Sequence, residues 1–164
     1  MKKNMTTKKI VLTGLLAALT CVGSALRITL PLDIAGTTSF HLGNFLCALS
    51  GILLGPWWGG MAAGLGSAIY DMFNPLYISE CWMTFLMKFA YGMAAGLVIR
   101  CGKADNWGYV RAMLATVAGA AAYAVLYLAK SYFYSGLLIH GLTPEAALLT
   151  VAGSLPITVS RAAC

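Results

Sequence analysis

Long apolar stretches separated by short polar ones are the main pattern along this chain of 164 residues. The predicted spans are residues 10–26, 40–54, 58–73, 82–99, 110–138 and 144–164. A helix needs about 20 apolar residues to cross the hydrocarbon core, whereas a barrel strand shows about 10 residues of alternating polarity. The pattern therefore predicts an all-α integral membrane protein. We expect a six-helix transmembrane bundle that forms one domain over residues 1–164.

The amino-acid composition also indicates a membrane protein. Hydrophobic residues make up 60% of the chain and charged residues only 10%, with a mean hydropathy of +0.80. Soluble domains carry about 25% charged residues, so this chain has too few charges to cover a water-facing surface. A soluble enzyme is excluded on this ground.

The basic residues are distributed unevenly between the two sides of the predicted bundle. One side holds eight of them: Lys2, Lys3, Lys8, Lys9, Arg100, Lys103, Arg111 and Arg161. The other side holds Arg27 together with four acidic residues, Asp33, Asp71, Glu80 and Glu145. Basic loops stay in the cytoplasm, so this predicts an N-in/C-in topology in the inner or plasma membrane of a prokaryote. The net charge of +6 therefore indicates topology rather than nucleic-acid binding.

Small residues recur four apart, a spacing that lets helix backbones approach closely in lipid. The pairs Gly60/Gly64 and Gly92/Gly96 are predicted to pack inside the bundle, and the GPWWGG sequence at 55–60 predicts a tight hairpin. The first span carries a similar stripe, which either packs inside the bundle or is presented to a separate protein. Its members are Gly14, Ala17, Ala18 and Cys21.

Two lysines lie inside predicted spans, where charge is costly and indicates function. Lys88 and Lys130 fall at similar depths, roughly 10 and 12 Å from the outer ends of their spans at 1.5 Å per residue. Three tyrosines share a helix stripe with Lys130, and two polar residues begin the second span: Tyr123, Tyr127, Tyr134, His41 and Asn44. These residues predict an outward-facing cavity for a small polar, partly aromatic solute. Two lysines without an obvious buried acid favour an anionic one.

The same residues also fit purely structural roles. Either lysine is also placed to snorkel to the outer surface, or to pair with Asp71 or Glu80. The tyrosines suit interface anchoring, and His41 and Asn44 suit helix capping.

No catalytic, metal or cofactor pattern occurs in the chain. His41 and His140 belong to different spans or loops, and the five cysteines lack metal-ligand or redox spacing. We therefore expect no enzymatic activity, no metal and no cofactor.

The central part of the chain resembles a known family. FHLGNFLCALSGILLGPWWGGMAAGLGSAIYDMF at 40–73 and TFLMKFAYGMAAGL at 84–97 are similar to the substrate-binding S components of energy-coupling factor (ECF) vitamin transporters. The resemblance implies a six-helix bundle that captures a vitamin-like solute in its outer half. It also implies a transmembrane coupling subunit and two cytoplasmic ATPases as partners, with the S component toppling to carry its substrate across.

The resemblance also assigns positions. It maps the substrate pocket onto residues 34–40, Trp82, Lys88 and the stripe on the fifth span, and it maps the contact with the coupling subunit onto the small-residue stripe of the first span. The chain departs from the family at its end, where Pro156 is soon followed by Arg161 and Cys164. We therefore expect a shortened or altered sixth helix.

The leading hypothesis is thus a membrane-embedded subunit that binds a vitamin-like solute for an ATP-driven importer. Pantothenate-, folate-, flavin- and pyridoxine-like compounds all fit the predicted residues. Two other classes stay open: a stand-alone channel or facilitator for a small solute, and a structural membrane-assembly protein that binds no small ligand.

Overall fold

The computed structural model describes residues 2–32, 36–75, 78–101, 108–130 and 132–133. Five long helices occupy most of this range, and their bounds follow the predicted spans. They are α1 (Lys2–Ala25), α2 (Gly43–Leu54), α3 (Pro56–Phe73), α4 (Cys81–Cys101) and α5 (Gly108–Lys130). A short 3₁₀ turn at Ile78–Glu80 leads into α4. The helical fold is confirmed, whereas the predicted sixth span at 144–164 and the end of the fifth at 134–138 lie outside the described residues.

A β-hairpin joins α1 to α2. Strand β1 (Arg27–Leu32) pairs antiparallel with β2 (Gly36–His41), and Arg27 lies opposite His41. The helix of the second predicted span begins three residues later than expected, at Gly43 rather than Phe40, because residues 36–41 belong to the hairpin. Both strands contain β-branched residues, which favour extended structure.

The helices differ in their ability to cross a membrane. Residues 7–25, 78–101 and 108–130 are long and apolar enough to do so. Helix α2 has only 12 residues, about 18 Å at 1.5 Å per residue, and falls short of a hydrocarbon core of about 30 Å. Six full spans and the N-in/C-in orientation remain predictions.

Helices α2, α3 and α4 form the centre of the described bundle. Helix α1 packs against α3 and α2, and α5 packs mainly against α4. One buried cluster joins α2, α3 and α4 and is contacted by Ala120 and Tyr123 of α5. A second cluster, Leu16, Leu54 and Ala62, joins α1 to the α2–α3 pair.

Glycines allow the three central helices to approach at backbone distance. A Cβ placed on Gly51 of α2 would lie 2.3 Å from the carbonyl oxygen of Gly92 on α4. One placed on Gly96 would lie 2.5 Å from the backbone nitrogen of Pro56. The predicted internal packing of Gly60 and Gly92 is confirmed. A Cβ on Gly60 would lie 2.9 Å from the backbone oxygen of Phe89, and a Cβ on Gly92 would lie 2.9 Å from that of Gly59.

The predicted hairpin turn between α2 and α3 is also confirmed. Gly55 adopts a φ of 84°, which L side chains rarely adopt, and α3 starts at Pro56, where a missing N–H costs nothing. Arg100, at the end of α4, donates from its guanidinium to the Leu54 carbonyl at 3.1 Å. The end of α4 therefore binds the last turn of α2.

We expect Gly51→Ala to destabilise the bundle by roughly 1–3 kcal/mol, because the new methyl group would overlap the backbone of α4. Gly14→Ala is the matched control, since a Cβ there meets nothing within 4 Å. It should leave stability unchanged or raise it, because alanine favours helix over glycine by about 1 kcal/mol. Thermal unfolding in detergent measures both, and a Gly51→Ala protein as stable as wild type would contradict the close approach.

Candidate functional site

Lys88 is buried between three helices. It lies on α4 with 4% of its surface exposed, and its ammonium donates to Oδ1 of Asn44 on α2. The same nitrogen lies 4.6 Å from the ring centre of Tyr123 on α5 and 5.9 Å from that of Tyr91. An amide oxygen and two aromatic faces stabilise a cation in a site shielded from water. Side chains from α2, α4 and α5 therefore converge on the Lys88 ammonium.

Aromatic side chains continue from Lys88 along α5. The Tyr91 and Tyr123 rings meet edge to face with centroids 6.3 Å apart, and the Tyr123 and Tyr127 rings lie 6.1 Å apart. We call Tyr91, Tyr123 and Tyr127 the tyrosine row. Such rings offer faces for stacking and hydroxyls for hydrogen bonds.

Further buried polar groups lie on α2 and α3 beside this row. Cys47 is fully buried, contacts Tyr91 in the central cluster, and lies 3.8 Å from the Ser67 hydroxyl between sulfur and oxygen. Asp71, one turn beyond Ser67 on α3, is 8% exposed. The interior at this end of the bundle is therefore more polar than the lysines alone indicate.

Lys130 has a different environment from Lys88. Its ammonium forms an ion pair with Glu80 at 2.5 Å, with side chains 13% and 31% exposed, and it lies 5.9 Å from the Tyr127 ring centre. Glu80 ends the 3₁₀ turn before α4, so the pair joins this turn to the last residue of α5. The structural pairing considered for Lys130 is the one observed. The argument for an anionic substrate from two lysines without an acid is therefore wrong for Lys130.

The structure brings together only part of the predicted binding set. Asn44, Lys88 and Tyr123 form one cluster, and Tyr127 links it to Lys130. Trp82 lies in the first turn of α4 and is 53% exposed.

Two other predicted binding residues are not tested. The side chain of His41 and all of Tyr134 lie outside the described residues, although the backbone of His41 pairs with Arg27 at the end of β2.

Sequence reasoning missed Tyr91 as a neighbour of Lys88. It lies three residues after Lys88 on the same helix, a spacing at which side chains share a face. Its position inside a Gly/Ala-rich apolar stretch concealed this signal. Among the described residues, no three His, Cys, Asp or Glu side chains lie close enough to hold a metal ion.

The small-residue stripe of α1 divides into two parts. Gly14 and Ala18 are exposed on an open face, and Cys21 is partly exposed. Ala17 is instead 7% exposed, and its carbonyl oxygen lies 2.3 Å from where a Cβ on Gly66 of α3 would be. Ala17 therefore packs inside the bundle, because the face of α1 that it shares with Leu16 and Thr20 is the buried one.

The Lys130–Glu80 pair should contribute measurably to stability. We expect Glu80→Gln to lower the free energy of unfolding by about 1–2 kcal/mol, because Lys130 loses its counter-charge. This loss lies between those typical of exposed and of buried ion pairs. Exchanging the charges in Glu80→Lys/Lys130→Glu should recover most of the loss. Thermal unfolding in detergent tests this, and an exchange variant no more stable than either single charge reversal would contradict the pairing.

Comparison with known proteins gives one match. A family model described as "ECF-type riboflavin transporter, S component" matches residues 4–164. Searches of curated proteins and of solved structures gave no significant match. The match covers nearly the whole chain and includes the residues that resemble this family by sequence. The chain belongs to the family of ECF-type riboflavin transporter S components, membrane subunits that bind a transporter's substrate.

Proposed function

We propose that this protein captures riboflavin at the outer side of a prokaryotic plasma membrane for an ATP-driven ECF importer. The single observation that carries this proposal is the family match over residues 4–164. The cluster of Lys88, Asn44 and the tyrosine row supports it, because it offers aromatic faces beside directional polar groups. Sites for small molecules combine these two features.

Riboflavin suits this cluster chemically. Its isoalloxazine ring is flat and aromatic and carries carbonyl oxygens, and its ribityl chain carries hydroxyl groups. The ring is proposed to stack against the tyrosine row, while Lys88 donates to a ring carbonyl. Riboflavin is uncharged near neutral pH, so a flavin substrate takes the place of the anionic solute expected from the lysines.

A stand-alone channel is less well supported than a binding subunit. A channel needs a polar path through the half of the bundle near the α2–α3 turn. In the part of that half that the structure describes, Gly51, Gly59 and Gly96 pack backbone against backbone. The buried Ser50 hydroxyl there bonds to the Cys47 and Gly59 carbonyls. Both features favour a closed bundle.

Riboflavin binding to the purified protein, measured by isothermal titration in detergent, tests the substrate. Lys88→Met should weaken binding tenfold or more, since losing a hydrogen bond from a charged group costs about 1.5–3 kcal/mol. Lys8→Met is the control, because it removes an exposed lysine from the far end of α1.

Three results would count against parts of this proposal. No binding by the wild-type protein would exclude riboflavin as the substrate. An unchanged affinity in Lys88→Met would remove Lys88 from the site. Tighter binding of flavin mononucleotide than of riboflavin would restore the anionic preference.

The coupling subunit is proposed to dock on the open face of α1. The proposal rests on the exposed Gly14 and Ala18 and the partly exposed Cys21. Ala17 is buried and lies on the inner side of the same helix. Small residues allow a partner helix to approach closely. Two cytoplasmic ATPases are proposed to complete the importer.

We expect Gly14→Leu to abolish co-purification with the coupling subunit and ATPases, because the larger side chain keeps the two helices apart. Riboflavin affinity of the isolated variant should stay at the wild-type value, since the substituted face is open. Leu19→Phe, which enlarges a 47% exposed side chain elsewhere on α1, is the control. Intact co-purification of Gly14→Leu would place the partner on another surface.

A further inference from the structure

An unpaired hydroxyl is buried near the end of α1 that is predicted to face outward. Ser24 is 4% exposed, and its Oγ has no hydrogen-bond partner among the residues that the structure describes. A buried polar atom without a partner costs free energy, and native proteins contain few of them. This hydroxyl therefore calls for a physical explanation.

Two other buried hydroxyls on α1 provide the comparison. Thr13 donates to the Lys9 carbonyl at 2.7 Å, and Thr20 donates to the Leu16 carbonyl at 2.8 Å. Hydroxyls within apolar helices commonly satisfy themselves in this way, by bonding to the carbonyl four residues earlier. The Thr20 carbonyl is the equivalent acceptor for Ser24, yet Ser24 does not bond to it. Its Oγ is left available to another group.

The residue before Ser24 packs against the start of α2, the helix that carries Asn44. A Cβ on the preceding residue, Gly23, would lie 3.6 Å from the Gly43 nitrogen and would overlap the Leu46 side chain. Helix α1 therefore meets the first turn of α2 beside Ser24. Asn44, which accepts from Lys88, belongs to that same turn.

We propose that Ser24 Oγ is a substrate contact on the α1 wall of the site, where it hydrogen-bonds a polar group of the flavin. This inference rests on the proposed function. A hydroxyl donates and accepts, so it suits a ring carbonyl or a ribityl hydroxyl. Ser24, Asn44 and Lys88 are all buried, as the lining of an enclosed site would be.

The test compares wild type, Ser24→Ala and Thr20→Val by riboflavin titration and by thermal unfolding without added riboflavin. Ser24→Ala should raise the Kd roughly 3- to 10-fold, the equivalent of one neutral hydrogen bond. Its unfolding temperature should stay the same or rise, because the variant removes an unpaired buried hydroxyl. Thr20→Val is the control: it removes the buried hydroxyl one turn before Ser24 while keeping the shape of that side chain, and it should leave the Kd unchanged. Ser24→Cys, which retains a weak donor, should give a Kd between those of wild type and Ser24→Ala.

The outcomes separate this inference from the proposed function. Riboflavin binding by wild type with an unchanged Kd in Ser24→Ala overturns the Ser24 contact and leaves the substrate assignment standing. A fall in unfolding temperature without a change in Kd likewise assigns Ser24 to packing alone. No binding by wild type overturns the proposed function and the contact together.

Discussion

Close backbone contact among α2, α3 and α4 is the constraint on which the rest of the described structure depends. In lipid, apolar side chains gain little by leaving the solvent, so helices are held together by close packing and by hydrogen bonds between them. Gly51, Gly59, Gly92 and Gly96 supply the packing, since a methyl group at any of them would overlap a neighbouring backbone. The Arg100 guanidinium, bound to the carbonyl end of α2, adds a polar contact at the same end.

This packing determines what the opposite end of the bundle can hold. With α2 and α4 fixed at their glycines, Asn44 and Lys88 lie within hydrogen-bond reach, and α5 brings Tyr123 over the same ammonium. A charge at this depth is stabilised by an amide and aromatic faces. Lys130, nearer the end of its helix, is paired with Glu80. Two lysines that look alike in sequence therefore have different neighbours.

The family match and the geometry of the Lys88 cluster both support the proposed flavin ligand. The match names a riboflavin transporter subunit, and the proposed site combines the aromatic faces of the tyrosine row with the Asn44 amide and the Lys88 ammonium. The unpaired Ser24 hydroxyl extends this argument to α1, which sequence reasoning treated only as a docking surface. The two proposals use different faces of α1, because Ser24 is on its buried side while Gly14 and Ala18 are on its open side.

Sequence by itself determined the membrane class, the five long helices that the structure describes and the family. Apolar runs, the GPWWGG turn and the four-residue glycine spacing depend on local chain properties, so they can be recognised without knowing which helices meet. Asn44, Lys88 and Tyr123 were identified as candidates for the same reason. Tertiary structure alone decided that Lys130 pairs with Glu80, that Ala17 is buried and that Tyr91 contacts the Lys88 charge. These features depend on which faces of separate helices come together, and residues 50 apart in sequence, such as Glu80 and Lys130, leave no local signal of their contact.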